Sequence, residues 1–290
     1  VSLTPRVIAW RDQGWTSELC GHGIHVFGRD GTDPVLLLLH GFPSSSYDWR
    51  LLLERESDPS VLAFDCLGFG LSEKPAGHDY TLAEQADIAE ALWRLHGDGR
   101  PVFLVGHDMG TSVATELMAR DIDGALEMEV RGALLFNGSM IQGAASPTIA
   151  QRLLRGPLGA LFAQLSSERF FRQQFGSIFS DGHPLTEEEA EDQWSLIAHN
   201  GGRRLGHRLI SYMDERERHA ERWYGALKEW PKPLHLAWGM ADPVATENVL
   251  DGVLALRPSA PLTRFADLGH YPQIEDPDRV AEALQTAVAA

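Results

Sequence analysis

Short apolar runs without polar alternation, each closed by a turn residue, recur along the chain: PVLLLLHG (34–41), SVLAFD (60–65), PVFLVG (101–106), VRGALLFNG (130–138) and PLHLAWG (233–239). A strand with one wetted face alternates apolar and polar residues, so runs lacking that alternation belong to strands covered on both faces. Helical patterns fill the gaps between them: SSYDWRLLLERE, TLAEQADIAEALWRLHG, TSVATELMAR, TENVLDGVLALR and PDRVAEALQTAVAA. Alternation of this kind specifies a mostly parallel sheet with helices on both faces. WTSELCGHGIHVFG (15–28) adds two strands around a Gly-His-Gly turn.

One region departs from the alternation. Residues 140–230 carry helical patterns and no convincing strand, and Pro231 and Pro233 mark the return to the sheet. A helical block inserted between two strands reads as a cap over the strand ends, where such sheets bind ligands. The expected organisation is a core of residues 1–139 and 231–290 with a cap of 140–230.

Charge and cysteine content narrow the partners. With 41 acidic and 25 basic residues the net charge is −16, which argues against nucleic acid or an anionic membrane surface, since both require a positive face. Cys20 and Cys66 are too few for a disulfide framework and lack metal-ligand spacing, so a reducing cytoplasm is the expected setting. No apolar stretch reaches the roughly 18 residues of a membrane span, and the N-terminus lacks the basic and apolar regions of a signal peptide. No metal or cofactor is expected, and a homodimer is left open.

The chemistry is concentrated in VFLVGHDMGTSVATELM (102–118), where a strand runs through a Gly-x-x-x-Gly turn into a helix. Gly106 and Gly110 permit a sharp corner, and Val113, Ala114, Leu117 and Met118 mark the inner face of the helix. Such turns usually lift a serine at their centre; here the central residue is Asp108. A helix N-cap is the competing reading of this aspartate. A carboxylate nucleophile needs a base, an acid to orient that base, and donors for an oxyanion. His270 in FADLGHYPQIEDP and Asp242 in HLAWGMADPV follow later strands, giving the order Asp108, Asp242, His270 used by α/β-hydrolases. His40-Gly41-Phe42-Pro43 follows LLLL where an oxyanion loop belongs, so the backbone N–H groups of Phe42 and Met109 are the expected donors.

At these motifs the chain resembles the α/β-hydrolase superfamily, and within it the aspartate-nucleophile branch of epoxide hydrolases and haloalkane dehalogenases. HGFPSSSYDW, AFDCLGFGLSEKP, VGHDMG and GHYPQIEDP follow that branch's layout, and LLLLHGFPSSSYDW, FDCLGFGLSEKP, HYPQIEDP and RWYGAL are especially similar to the mesoderm-specific transcript family and its bacterial relatives. The resemblance implies an eight-stranded sheet with an inserted helical cap. It also implies that Asp108 attacks a saturated carbon to form an alkyl ester, which water activated by His270 then hydrolyses. An epoxide opened in this way needs a proton for its alkoxide. Tyr212 falls where such enzymes place the second of two cap tyrosines; Phe171 stands at the other position, with His199 or His207 as substitutes. Haloalkane dehalogenases of this kind usually carry halide donors where this chain has Met109 and Phe42, although Trp194 offers an indole N–H. His40, Phe171, Trp194 and Leu209 are the expected pocket residues, together with Phe42 and Met109, and suit a small apolar organic substrate. Epoxide hydrolysis is therefore the expected activity. Haloalkane dehalogenation on the same triad, ester hydrolysis, which normally uses serine, and a catalytically silent fold are the alternatives.

Overall fold

The computed structural model describes residues 1–290. Each apolar run becomes a strand: β3 (Thr32–Leu39), β4 (Pro59–Phe64), β5 (Val102–His107), β6 (Val130–Phe136) and β7 (Leu234–Gly239). The N-terminal pair forms β1 (Trp15–Leu19) and β2 (His22–Arg29), and β8 (Leu262–Phe265) completes one eight-stranded sheet in the order β1-β2-β4-β3-β5-β6-β7-β8. β2 pairs antiparallel with both β1 and β4, and every other pairing is parallel. β8 carries no apolar run because it is an edge strand of four residues with only Phe265 buried.

The lack of alternation has the expected cause. Leu37 and Leu39 of β3 pack into one apolar core, while Leu36 and Leu38 pack into the core on the opposite face. Helices α1 (Pro5–Arg11), α2 (Arg50–Arg55), α3 (Leu82–His96) and α4 (Met109–Ile122) precede the long insertion. The first was not expected from the pattern. Thr4 caps it, Pro5 occupies its first turn, and Trp10 stacks on Phe27 with ring centroids 4.6 Å apart, a Thr-Pro start that is itself a helix signal.

Between β6 and β7 the chain forms helices only: α5 (Ile149–Arg155), α6 (Gly159–Leu165), α7 (Glu168–Gly176), α8 (Glu187–Ala198), a 3₁₀ stretch, α9 (Gly206–Leu209), α10 (Tyr212–Arg218) and α11 (Ala220–Glu229). Polar bonds fasten this segment to the rest of the chain. Tyr47 donates to Asp192 at 2.7 Å, and Gln193 to Asp48 at 2.7 Å; the Trp223 indole donates to Glu116 at 2.8 Å. After β7 follow α12 (Glu247–Leu256), α13 (Pro272–Glu275) and α14 (Pro277–Val288). No helix is long and apolar enough to cross a membrane.

Candidate active site

The corner after β5 is built by close backbone approach. Asp108 adopts φ 46° and ψ −112°, a conformation that a residue with a side chain holds only when its surroundings enforce it. Thr111 supplies part of that enforcement, donating to the Asp108 carbonyl from its amide at 3.1 Å and its hydroxyl at 2.6 Å. A Cβ on Gly110 would lie 2.0 Å from the Leu39 carbonyl oxygen, and one on Gly41 would lie 2.7 Å from Asp108 Cβ, so both glycines are required by space. The Asp108 side chain caps no helix amide. Its Oδ2 instead accepts the Phe42 N–H at 2.8 Å, which removes the N-cap reading and brings the oxyanion loop onto the carboxylate. Met109 begins α4, so its N–H is among those without an intrahelical partner.

His270 and Asp242 meet as the sequence order anticipates, with His270 Nδ1 2.7 Å from Asp242 Oδ2. Asp242 also accepts N–H bonds from Val244 at 2.7 Å, Ala245 at 3.1 Å and the Asn137 side chain at 2.8 Å. A carboxylate so supplied keeps the His270 proton on Nδ1 and leaves Nε2 as the basic atom. Burial alone would depress the His270 pKa; the charge and hydrogen bond of Asp242, aided by Asp108, outweigh it, and the net shift is upward. The buried His107 ring bonds the His270 carbonyl through Nε2 at 2.7 Å, and burial followed by the neighbouring His270 pushes its own pKa well down. Asn137 holds the Asp242 carboxylate directly and His107 holds the His270 backbone, and neither stands out in the sequence.

A third missed residue lies directly beside Asp108. Arg216 is 2% exposed; its Nη2 donates to the Asp108 carbonyl at 2.9 Å and lies 3.8 Å from Asp108 Oδ1, while Nε donates to Ser112 Oγ at 2.8 Å. It arrives from α10, four residues after Tyr212, whose ring its guanidinium covers at 4.7 Å. That i, i+4 spacing was the available signal, because such residues share a helix face. The Tyr212 ring also lies 5.7 Å from that of Phe42. Burial raises the Tyr212 pKa, and the Asp108 charge raises it further against the opposing effects of Arg216 and a Gln151 hydrogen bond. The phenol therefore keeps its proton at neutral pH.

Phe171, Trp194 and Leu209 line one cavity of about 100 Å³ with Phe42, as expected, and Lys74 joins them there, pushed down to about 8 by burial. A smaller adjoining cavity of about 60 Å³ is lined by His270 and shares Phe42 and Phe171. Neither cavity is lined by Asp108 or Tyr212. His40 is a correction to the pocket expectation. It is buried, its Nδ1 bonds the Gly41 carbonyl at 2.8 Å, and its Nε2 accepts the Cys66 N–H at 2.9 Å. A ring with both nitrogens engaged holds the loop and faces no substrate. His199 and His207 likewise line neither cavity, and His207 Nδ1 bonds the Arg204 carbonyl.

Comparison with known proteins agrees with this fold. A family model described as the alpha/beta hydrolase family matches residues 36–283. LipZ of Mycobacterium tuberculosis H37Rv, named as a hydrolase, is 49% identical over 281 residues, covering 97% of each chain. The mesoderm-specific transcript homolog protein of Bos taurus is 33% identical over 288 residues, covering 95% of this chain and 85% of the other. Among solved structures, the haloalkane dehalogenase DatA of Agrobacterium tumefaciens C58 matches with TM-score 0.78 at 23% identity, covering 95% of this chain and 96% of that one. Epoxide hydrolase CorEH matches with TM-score 0.77 at 19% identity, covering 95% and 98%. At these identities the structural likeness is one of fold.

Proposed function

The chain belongs to the alpha/beta hydrolase family, and from that premise we propose that it is an epoxide hydrolase acting through a covalent ester on Asp108. The observation that carries this reading is a carboxylate at the elbow with a buried phenol beside it: Asp108 accepts the Phe42 N–H, and the Tyr212 ring lies 5.7 Å from the Phe42 ring. A carboxylate attacks a saturated carbon without first losing a proton, whereas a hydroxyl would need a base. The departing alkoxide takes a proton from Tyr212. Asp108 Oδ2 already lies on the Phe42 N–H, so the oxygen that becomes the oxyanion of the second step is held before the reaction begins.

In that second step His270 Nε2 removes a proton from water, which attacks the ester carbonyl. The 60 Å³ beside His270 exceeds the roughly 10–15 Å³ that one water needs. Water's oxygen therefore enters Asp108 before the product. The inserted helices serve as a cap, and their aromatic cavity favours a small apolar epoxide. Haloalkane dehalogenation is the second reading, supported by Trp194 on the cavity wall, where an indole N–H suits a halide.

Purified protein given a styrene-type epoxide and a bromoalkane, with diol and halide followed separately, tests the choice. Diol without halide is expected; halide without diol from several epoxides overturns it in favour of dehalogenation. His270→Gln should accumulate an adduct on the Asp108 peptide by mass spectrometry. Saturating substrate that leaves no adduct would remove the covalent step.

A further inference from the structure

Away from the triad, side chains suited to a transition metal converge from three parts of the chain. His22 opens β2, His78 lies in the loop after β4, and Glu84 stands in the first turn of α3. Their ligand atoms lie within 4.8 Å of one another. Glu84 Oε1 is 2.8 Å from His78 Nε2 and 4.0 Å from His22 Nε2. We propose that His22, His78 and Glu84 bind a zinc ion, with Glu73 orienting His22 from outside the ligand set.

The donor chemistry selects the ion. Two imidazoles and one carboxylate suit Zn²⁺ and its first-row neighbours, whereas Mg²⁺ and Ca²⁺ take oxygen alone. Tetrahedral ligands about 2.1 Å from zinc stand roughly 3.4 Å apart. The His78–Glu84 pair is shorter than this and the His22–Glu84 pair longer, so a metal asks each to shift by only about 0.6 Å, in opposite senses. The three side chains are 20%, 28% and 23% exposed, enclosed enough to hold an ion and open enough to receive one.

The His22 ring supplies an independent argument. Its Nδ1 is shielded from solvent and has no hydrogen-bond partner, which a buried polar atom rarely tolerates. A metal on Nε2 fixes the proton on Nδ1, directed toward Glu73 Oε2 at 3.6 Å, and that carboxylate is itself held by the Gly23 N–H at 3.0 Å. A ligating histidine whose other nitrogen donates to a carboxylate is the usual support of a protein metal site. The His78–Glu84 pair on its own explains nothing about His22; zinc on Nε2 would make Nδ1 a fixed donor, which Glu73 would pair by closing from 3.6 Å to hydrogen-bond distance. The loop that carries His78 also contributes Gly68, Phe69, Gly70 and Lys74 to the apolar cavity, so the ion would tie a cavity wall to the β1–β2 hairpin.

Calorimetric titration of the chelator-treated full chain with ZnCl₂ tests the proposal. One equivalent should bind; His22→Ala and His78→Ala should each weaken binding by about 100-fold or more, and Glu73→Gln by roughly 10-fold to 100-fold. The proposal is overturned if the wild-type chain binds no zinc, or if it binds equally well without His22 and His78, since the chain holds 12 histidines. A readout needing no variant is the visible spectrum of the Co²⁺ form, expected to be that of a four-coordinate ion with nitrogen ligands; a six-coordinate aqueous spectrum counts against the site.

Discussion

Asp108, Asp242 and His270 reach the candidate site from the ends of β5, β7 and β8, whereas Tyr212 and Arg216 reach it from one helix between β6 and β7. Sheet pairing fixes the first three, because a parallel register allows each strand end one position relative to its neighbours. The helix-borne pair depends instead on how a separate segment docks. That docking rests on apolar packing, with Tyr212, Met213, Trp223 and Leu227 in one core with Val113 and Leu117 of α4, and on polar contacts such as Arg216 to Asp108 and Ser112. In the proposed reaction the triad would thus stand on the sheet, and the groups that meet the substrate on the inserted helices.

Variants at the two kinds of position should separate accordingly. Asp108→Ala should lower turnover by on the order of 10⁴-fold or more, measured with whichever substrate the wild-type chain accepts; residual activity within 10-fold would remove the elbow from the mechanism. Arg216→Gln leaves the Asp108 carboxylate without its buried cation, and loss of one partner from a buried pair costs about 3–5 kcal/mol. Urea unfolding should register that loss together with reduced activity. Unchanged stability would mean that the helical segment seats independently of the nucleophile corner.

Tyr212→Phe keeps the ring and removes the proton donor. Ester formation from an epoxide should slow by roughly 10²-fold, with little change in the His270-dependent hydrolysis. Equal slowing of both steps in rapid-quench experiments would assign the phenol a packing role. The His270 shift gives the two steps different pH responses. Because its pKa is raised, the imidazole is charged over a wider acidic range, so ester hydrolysis should fail first as pH drops and the Asp108 adduct should accumulate in acid.

The smallest expected effect concerns the seam between the two regions. Asp48 accepts from Gln193 of α8 and from Ser44, and burial, against those hydrogen bonds, pushes its pKa up to about 7. Folding thus favours its protonated form. The corresponding stability is fully present below about pH 4 and is lost as pH rises through about 7. Asp48→Asn should therefore gain Tm relative to the wild type as pH is raised from 4 to 8. A constant difference would mean that Asp48 does not titrate in that range.

The same contrast explains what could be read in the sequence. Uninterrupted apolar runs mark β3 to β7 because both faces of those strands are covered, and the triad was legible because its members follow strands in a fixed order. Phe171 was found through its resemblance to a cap-tyrosine position, and Trp194 and Leu209 as an indole and an apolar residue of the inserted segment. His40 was misassigned because sequence adjacency to the oxyanion loop does not say where a ring points; here it turns inward to the Cys66 amide. Asn137, His107 and Arg216 escaped because their roles rest on bonds to residues more than 100 positions away, which no local pattern encodes. Only the spacing of Arg216 from Tyr212 hinted at its place.

Arg216 also links the inserted helix to the charge of the nucleophile corner. Its guanidinium is seated by Ser112 and by both the carbonyl and the carboxylate of Asp108, so the stability of that seat and the charge state of Asp108 are coupled. In the proposed cycle, ester formation discharges that carboxylate and hydrolysis restores it. While the ester persists Arg216 would keep its bonds to the Asp108 carbonyl and to Ser112 but lose the facing negative charge, so the covalent state is the one in which this buried guanidinium stands without a counter-ion.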